Sequence, residues 1–186
     1  MSKAQASLNL AVLLLALPLH AGPMVEFYRP QAFKPERLAD VELTERWTLF
    51  FVQGLNIEQH ARLLMCAWHR ESNFDKALVE PGEGSYGITQ VRQKYHAALR
   101  RFWRGQGIEL GGASELRTQI AFGVAMFKFK LDEQNGNAYE AIRAYNGAGP
   151  GARWHRKKVI GTLRRVYGLD LDPYGRYTVW SQRSKT

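Results

Sequence analysis

Three short segments place polar or glycine residues where a packed core would exclude them, and each could do chemistry. The first is Arg70-Glu71-Ser72-Asn73-Phe74, at the carboxyl end of the most strongly periodic stretch of the chain. An acid there faces the negative pole of a helix dipole, which disfavours the carboxylate. Trp68 and Phe74 on either side would add an apolar surround and raise its pKa by desolvation. A carboxyl that stays protonated at neutral pH is what a general acid needs. From position alone, the plainer reading is a surface glutamate paired with Arg70 or Arg62. The second segment is Gly84-Ser85-Tyr86-Gly87-Ile88-Thr89-Gln90. Its glycines let backbone approach a ligand, and the glutamine offers a donor and an acceptor to a sugar. The third is Ala144-Tyr145-Asn146-Gly147, where a helix ends in hydrogen-bonding side chains before a flexible turn. Taken singly, these two are an ordinary turn and an ordinary helix stop.

Helical spacing has to position these residues. Ile57, Ala61, Leu64, Met65 and Trp68 build one apolar face, which predicts a helix from Asn56 to about Ser72. Asn56 would cap it, with Gln59 as capping-box partner. A helix over roughly Glu36 to Gln53 comes before it, stopped by Gly54 in a left-handed cap. After the turn-rich Glu80 to Gly87, helices are expected over about Val91 to Trp103 and along Leu116, Ile120, Val124, Phe127 and Leu131, the latter capped by Ser114. Asn137 with Glu140 reads as a capping box opening a short helix to Tyr145. Gly147, Gly149, Pro150 and Gly151 then break the chain before a last helix carrying Val159, Leu163 and Val166. No repeat and no strand alternation is visible, so the fold class is mainly α.

With 186 residues, 45% hydrophobic and 23% charged, the chain suits one globular domain. Met1 to Ser7 carries Lys3, Leu8 to Leu17 is apolar apart from Asn9, and Ala21 is a small residue at a plausible cut. That order is a secretory signal peptide, too short to span a bilayer, with an uncleaved anchor or a buried helix as the alternatives. The expected division is 1–21 signal peptide, 22–55 extended lead-in and helix, 56–168 catalytic domain and 169–186 basic carboxyl-terminal tail. The formal net charge is +9, and removing residues 1–21 takes away one lysine and no acid. A basic exported protein suits an anionic polymer, peptidoglycan with its carboxylates or nucleic acid. Arg100-Arg101, Arg156-Lys157-Lys158 and Arg164-Arg165 could serve either, or simply be solvated. Cys66, the only cysteine, lies in a helical apolar pattern and reads as a small buried hydrophobe.

In this order and helical context, the three segments resemble the soluble lytic transglycosylase family, whose fold is related to goose-type lysozyme. That family carries a Glu-Ser pair ending a helix, then Gly-Leu-Met-Gln, then Ala-Tyr-Asn before a Gly-rich turn. The counterparts are Glu71-Ser72, Gly87-Ile88-Thr89-Gln90 and Ala144-Tyr145-Asn146, within a resemblance over roughly Asn56 to Tyr167. Thr89 stands in place of methionine, the proline that often follows the glutamine by a few residues is missing from Val91-Arg92-Gln93, Gly147-Ala148-Gly149-Pro150 is one residue longer, and Glu83 adds an acid. The departures bear on the sugar subsites more than on the acid.

The resemblance implies a lysozyme-like helical domain that cleaves peptidoglycan glycan strands, using one acid and no cofactor or metal. Glu71 would protonate the glycosidic oxygen between N-acetylmuramic acid and N-acetylglucosamine. The muramic acetamido oxygen would stabilise the cationic centre. Ionised Glu71 would then deprotonate the C6 hydroxyl, closing a 1,6-anhydro ring without water. Ser72 would orient Glu71 or the acetamide, Tyr145 would hydrogen-bond Glu71, and Gln90, Asn146, Gly87 and Thr89 would hold sugars. The site of action would be the periplasm or the exterior, with no membrane insertion after processing and no nucleic acid as partner. Service to a secretion or conjugation apparatus is an analogy only. Two rivals stand beside this reading. One is a hydrolytic lysozyme with Asp75 or Glu83 as second carboxylate. The other is an inactive glycan- or DNA-binding domain. His69 and His155 are isolated in sequence, and no His-Glu-x-x-His motif is present.

Overall fold

The computed structural model describes residues 22–28 and 35–181; the expected signal peptide lies outside them. Among the described residues there are seven α-helices: α1 Pro23–Tyr28, α2 Pro35–Gly54, α3 Ala61–Ser72, α4 His96–Gly105, α5 Leu116–Glu133, α6 Ala138–Tyr145 and α7 Pro150–Tyr167. Three two-residue strands, β1 Val79–Glu80, β2 Ser85–Tyr86 and β3 Val91–Arg92, form an antiparallel sheet in that order. Another pair, β4 Leu169–Leu171 and β5 Tyr177–Val179, makes an antiparallel hairpin after α7. The fold is mainly helical, as the apolar spacing predicts. No described helix is long and apolar enough to cross a membrane.

Two helices form the centre. In α3 the consecutive residues Leu63 to Trp68 are all buried, so the helix is enclosed on nearly every side, between α2 and α7. In α5 the run Thr118 to Ala125 is likewise buried, against α2 and α6. Each fully buried large apolar side chain contributes about 1.5–3 kcal/mol. Gly123 lets α5 approach closely: a Cβ there would meet Thr89 and the Trp68 ring within 2.7 Å. Cys66 is buried without exposure, and burial pushes its thiol up, as fits a small core hydrophobe.

Local details depart from the expectations. The lead-in is not extended over its first part: α1 buries Met24, Val25 and Tyr28. Asn56 is not a cap; it takes φ +55, where Gly54 was expected to turn left-handed, and a 3₁₀ turn over Glu58–His60 leads into α3. Val91 begins no helix but sits in β3, with a 3₁₀ turn before α4. The Ser114 cap is absent, and Glu115 occupies that position, its carboxylate accepting from the Gly112 N–H at 2.8 Å. Asn137 does cap α6, accepting from the Tyr139 and Glu140 amides, but Glu140 turns outward to Arg156 and Arg143. The segment after Tyr167 begins with the β4–β5 hairpin, and Leu171 reaches the core.

Candidate active site

Glu71 lies in the last turn of α3, a helix fixed by the burial of Ala61, Leu63 to Trp68 and Ser72. Just beyond it the chain turns sharply, with Asn73 at φ +53 and Phe74 at φ +59. Asn takes left-handed backbone readily at a helix end, but for Phe it is costly and persists only where packing enforces it. Here the Asn73 N–H bonds the His69 carbonyl, and Tyr28 donates to Asn73 Oδ1 at 3.0 Å. Phe74 is fully buried against Tyr28 and His69, so it anchors the turn.

The side chain of Glu71 is about 10% exposed and opens into a cleft of about 380 Å³. The cleft is bounded by the small sheet, by Met126 and Lys130 of α5, and by Ala144 to Gly147 at the end of α6. Burial raises the Glu71 pKa to about 7, helped by nearby Glu83 and opposed by a hydrogen bond from Asn146. The negative end of α3 acts in the same direction as burial. A protonated carboxyl in an open cleft can deliver a proton at neutral pH and, once ionised, take one back.

The other residues picked out from the sequence divide into cleft and scaffold. Gln90, Tyr145 and Asn146 line the cleft with Glu71. Asn146 also reaches the acid itself, since its Nδ2 is 3.3 Å from Glu71 Oε1. Gln90, at φ +48, has its Nε2 donating to the Gly87 carbonyl at 2.7 Å and the Leu78 carbonyl at 3.2 Å. Tyr145 does not bond Glu71. Its hydroxyl donates to the Thr89 carbonyl at 2.7 Å, while its ring packs on Trp68.

Ser72, Gly87 and Thr89 lie behind the cleft. The Ser72 hydroxyl donates to the Ile88 carbonyl at 2.9 Å and so ties α3 to the glycine segment, without orienting Glu71. Thr89 is 1% exposed, and its hydroxyl donates to the Gln119 carbonyl at 2.9 Å. It faces the core because Gly123 leaves room for its methyl group. Gly87, at φ +71, passes so close to the Gln119 amide that any Cβ would collide with it. What looks like a sugar-binding strip is in part a braced support for the cleft.

Two residues that hold this site escaped the sequence reading. Gln119, 2% exposed on α5, accepts from the Ile88 N–H at 2.9 Å and donates to the Lys76 and Ser114 carbonyls at 3.0 and 3.2 Å. A polar side chain amid an apolar helix run was the available signal. His155, isolated in sequence, is not isolated in space: its Nε2 is 3.2 Å from Glu71 Oε1. Nothing in the order of residues announces that contact. His69 instead packs among Tyr28, Phe27 and Phe74, away from the cleft.

The two candidate second carboxylates are both engaged. Asp75 pairs with Arg37 at 3.0 Å and caps the Ala77 amide, and it does not line the cleft. Glu83 does line it, with Oε2 held 2.6 Å from Arg92 Nη2. Among the described residues no group of His, Cys, Asp and Glu side chains is arranged to hold a metal ion.

A family model described as phage tail lysozyme matches residues 44–152. That span runs from within α2 to the first turn of α7, and it contains Glu71, the small sheet and Asn146. No curated protein and no solved structure matches the chain.

Proposed function

Since this chain belongs to the phage tail lysozyme family, we propose that it cleaves peptidoglycan glycan strands, and that it does so as a lytic transglycosylase with Glu71 as its single acid and base. The observation that carries the reading is the state of Glu71: a buried carboxyl raised to about 7, open to a cleft in which Glu83, the acid that acts on it, is tied to Arg92, while Glu80 lines the cleft from an exposed strand. Protonated Glu71 gives its proton to the glycosidic oxygen of N-acetylmuramic acid as the bond to that sugar's C1 breaks. The acetamido oxygen of the same sugar supports the positive charge. Glu71, now a carboxylate, removes the C6 hydroxyl proton, and that oxygen closes on C1. The acid returns to its starting state, and no water is consumed. Gln90, Tyr145 and Asn146 border the sugars, while Ser72, Thr89 and Gly87 keep the wall of the cleft in place.

The substrate lies outside the cytoplasmic membrane, so the enzyme works in the periplasm or beyond it, after removal of residues 1–21. The basic surface favours the carboxylates of the same polymer.

A hydrolytic muramidase is the second reading, favoured by one feature: Glu83 lines the cleft and raises the Glu71 pKa. A hydrolase needs that second carboxylate to hold water or to form a covalent intermediate. Glu83→Gln is therefore expected to keep most of the wild-type turnover on purified sacculi. A loss of about 100-fold or more would give Glu83 the work of a catalytic base and favour hydrolysis.

A further inference from the structure

Two side-chain nitrogens from different elements converge on one oxygen of Glu71. Asn146 Nδ2, at the end of α6, is 3.3 Å from Oε1, and His155 Nε2, in α7, is 3.2 Å from the same atom. His155 is 8% exposed, and its Nε2 is buried with no hydrogen-bond partner. Buried ring nitrogens are rarely left in that condition, and hydrogen bonds at catalytic groups often tighten only when substrate binds.

We propose that His155 is a positioning residue: its Nε2–H donates to Glu71 Oε1 and, together with Asn146, confines the acidic proton to Oε2. The inference rests on Glu71 being the acid. An amide nitrogen can only donate, so Oε1 must accept from Asn146. If the imidazole Nε2 were instead an acceptor, the carboxyl proton would have to sit on Oε1, and a hydroxyl oxygen is the poorer acceptor for the Asn146 N–H. With both nitrogens donating, Oε1 is the carbonyl-like oxygen and Oε2 the hydroxyl. The catalytic proton is then delivered from one defined atom. After transfer the same two donors stabilise the carboxylate, and Oε2 takes the C6 hydroxyl proton.

Burial first, and the charges around this pair second, favour the neutral imidazole. Burial, with Arg70 of α3 and Lys158 of α7, pushes His155 down to about 4. The titratable groups that share the cleft with Glu71 are Glu80 of β1, Glu83 from the loop before β2, Arg92 of β3, Tyr95 before α4, Lys130 of α5 and Tyr145 of α6, and of these Glu83 raises the Glu71 pKa. A neutral ring has one N–H, so its tautomer decides the matter.

Nitrogen NMR of the folded wild-type protein near neutral pH reads that tautomer directly. The Nε2–H form of His155 is expected, and the Nδ1–H form overturns the proposal even if every variant misfolds. Kinetics supply the second arm. For His155→Leu, kcat is expected to fall roughly 10- to 100-fold with KM changed less than about two-fold. The basic limb of its pH profile is expected to move upward by about one unit, because the carboxylate has lost a donor. His155→Gln, whose amide can reach the same oxygen, is expected to restore the limb and most of the turnover. A downward shift, an unmoved limb, or equal damage in both variants overturns the proposal. Full activity in Glu71→Gln would instead remove the reading of the acid, leaving the tautomer result untouched.

Discussion

Glu71→Gln is expected to abolish glycan cleavage while making the folded protein more stable at alkaline pH. The amide is close to isosteric but can neither give nor take the proton, so both halves of the reaction fail, with a loss of about 100- to 10,000-fold. The stability effect follows from the raised pKa, about 7 against an ordinary 4.5. Below the lower value the carboxyl is protonated in folded and unfolded chains alike, and the substitution is nearly neutral. As pH rises from there through the folded pKa, the unfolded chain sheds its proton first, and the folded chain is left with a buried charge it disfavours. The wild type therefore loses stability across that window, and Glu71→Gln does not. At about pH 8 the variant is expected to be more stable by about 1–3 kcal/mol, with almost no difference near pH 4. Thermal melts at the two pH values check this. A variant no more stable than the wild type at either pH would mean that Glu71 is solvated, and that its acid strength is ordinary.

Gln119→Leu is expected to give the largest loss of stability outside the apolar core. The leucine would fit the volume but would leave the Ile88 N–H and the Lys76 and Ser114 carbonyls without their partner. Buried polar groups left unmade are costly, and about 3 kcal/mol is expected even if water reaches some of them. The damage would spread to function, because Ile88 is also where Ser72 fastens α3 to the glycine segment. Glu71 and the cleft wall are thus set by one network, and activity should fall together with the denaturation midpoint. Gln106→Leu, at an exposed position after α4, is the control and should stay within about 0.5 kcal/mol of wild type. If Gln119→Leu matched that control in chemical denaturation, the bracing of the glycine segment would have to come from elsewhere.

How far the sequence carries depends on the range of the interaction. Helix α3 was legible because Ala61, Leu64, Met65 and Trp68 repeat at helical spacing, and it was that helix's end which drew attention to Glu71. The Asn137 cap was legible for the same local reason. The strands of the small sheet were not: at two residues each they are too short to alternate, and antiparallel pairing across turns holds them. The left-handed turn at Phe74 was hidden too, since tertiary packing enforces it against local preference. Resemblance found Gly87 and Thr89 but assigned them to sugars. In the folded chain Gly87 makes room for Gln119, and Thr89 turns inward into the gap left by Gly123. His155 became visible only once α7 was laid beside the end of α3, a contact no periodicity encodes.

The central claim is that the glycosidic bond is cut by Glu71 without water, and the mass of the product tests it most directly. Purified sacculi digested with the processed protein should release muropeptides ending in 1,6-anhydro-N-acetylmuramic acid. These lie below the hydrolysis products by the mass of one water, and they have no reducing end. A parallel digest with Glu71→Gln should release none. Muropeptides with reducing N-acetylmuramic acid ends, carrying heavy oxygen when the digest is run in labelled water, would contradict the account and make this enzyme a hydrolase.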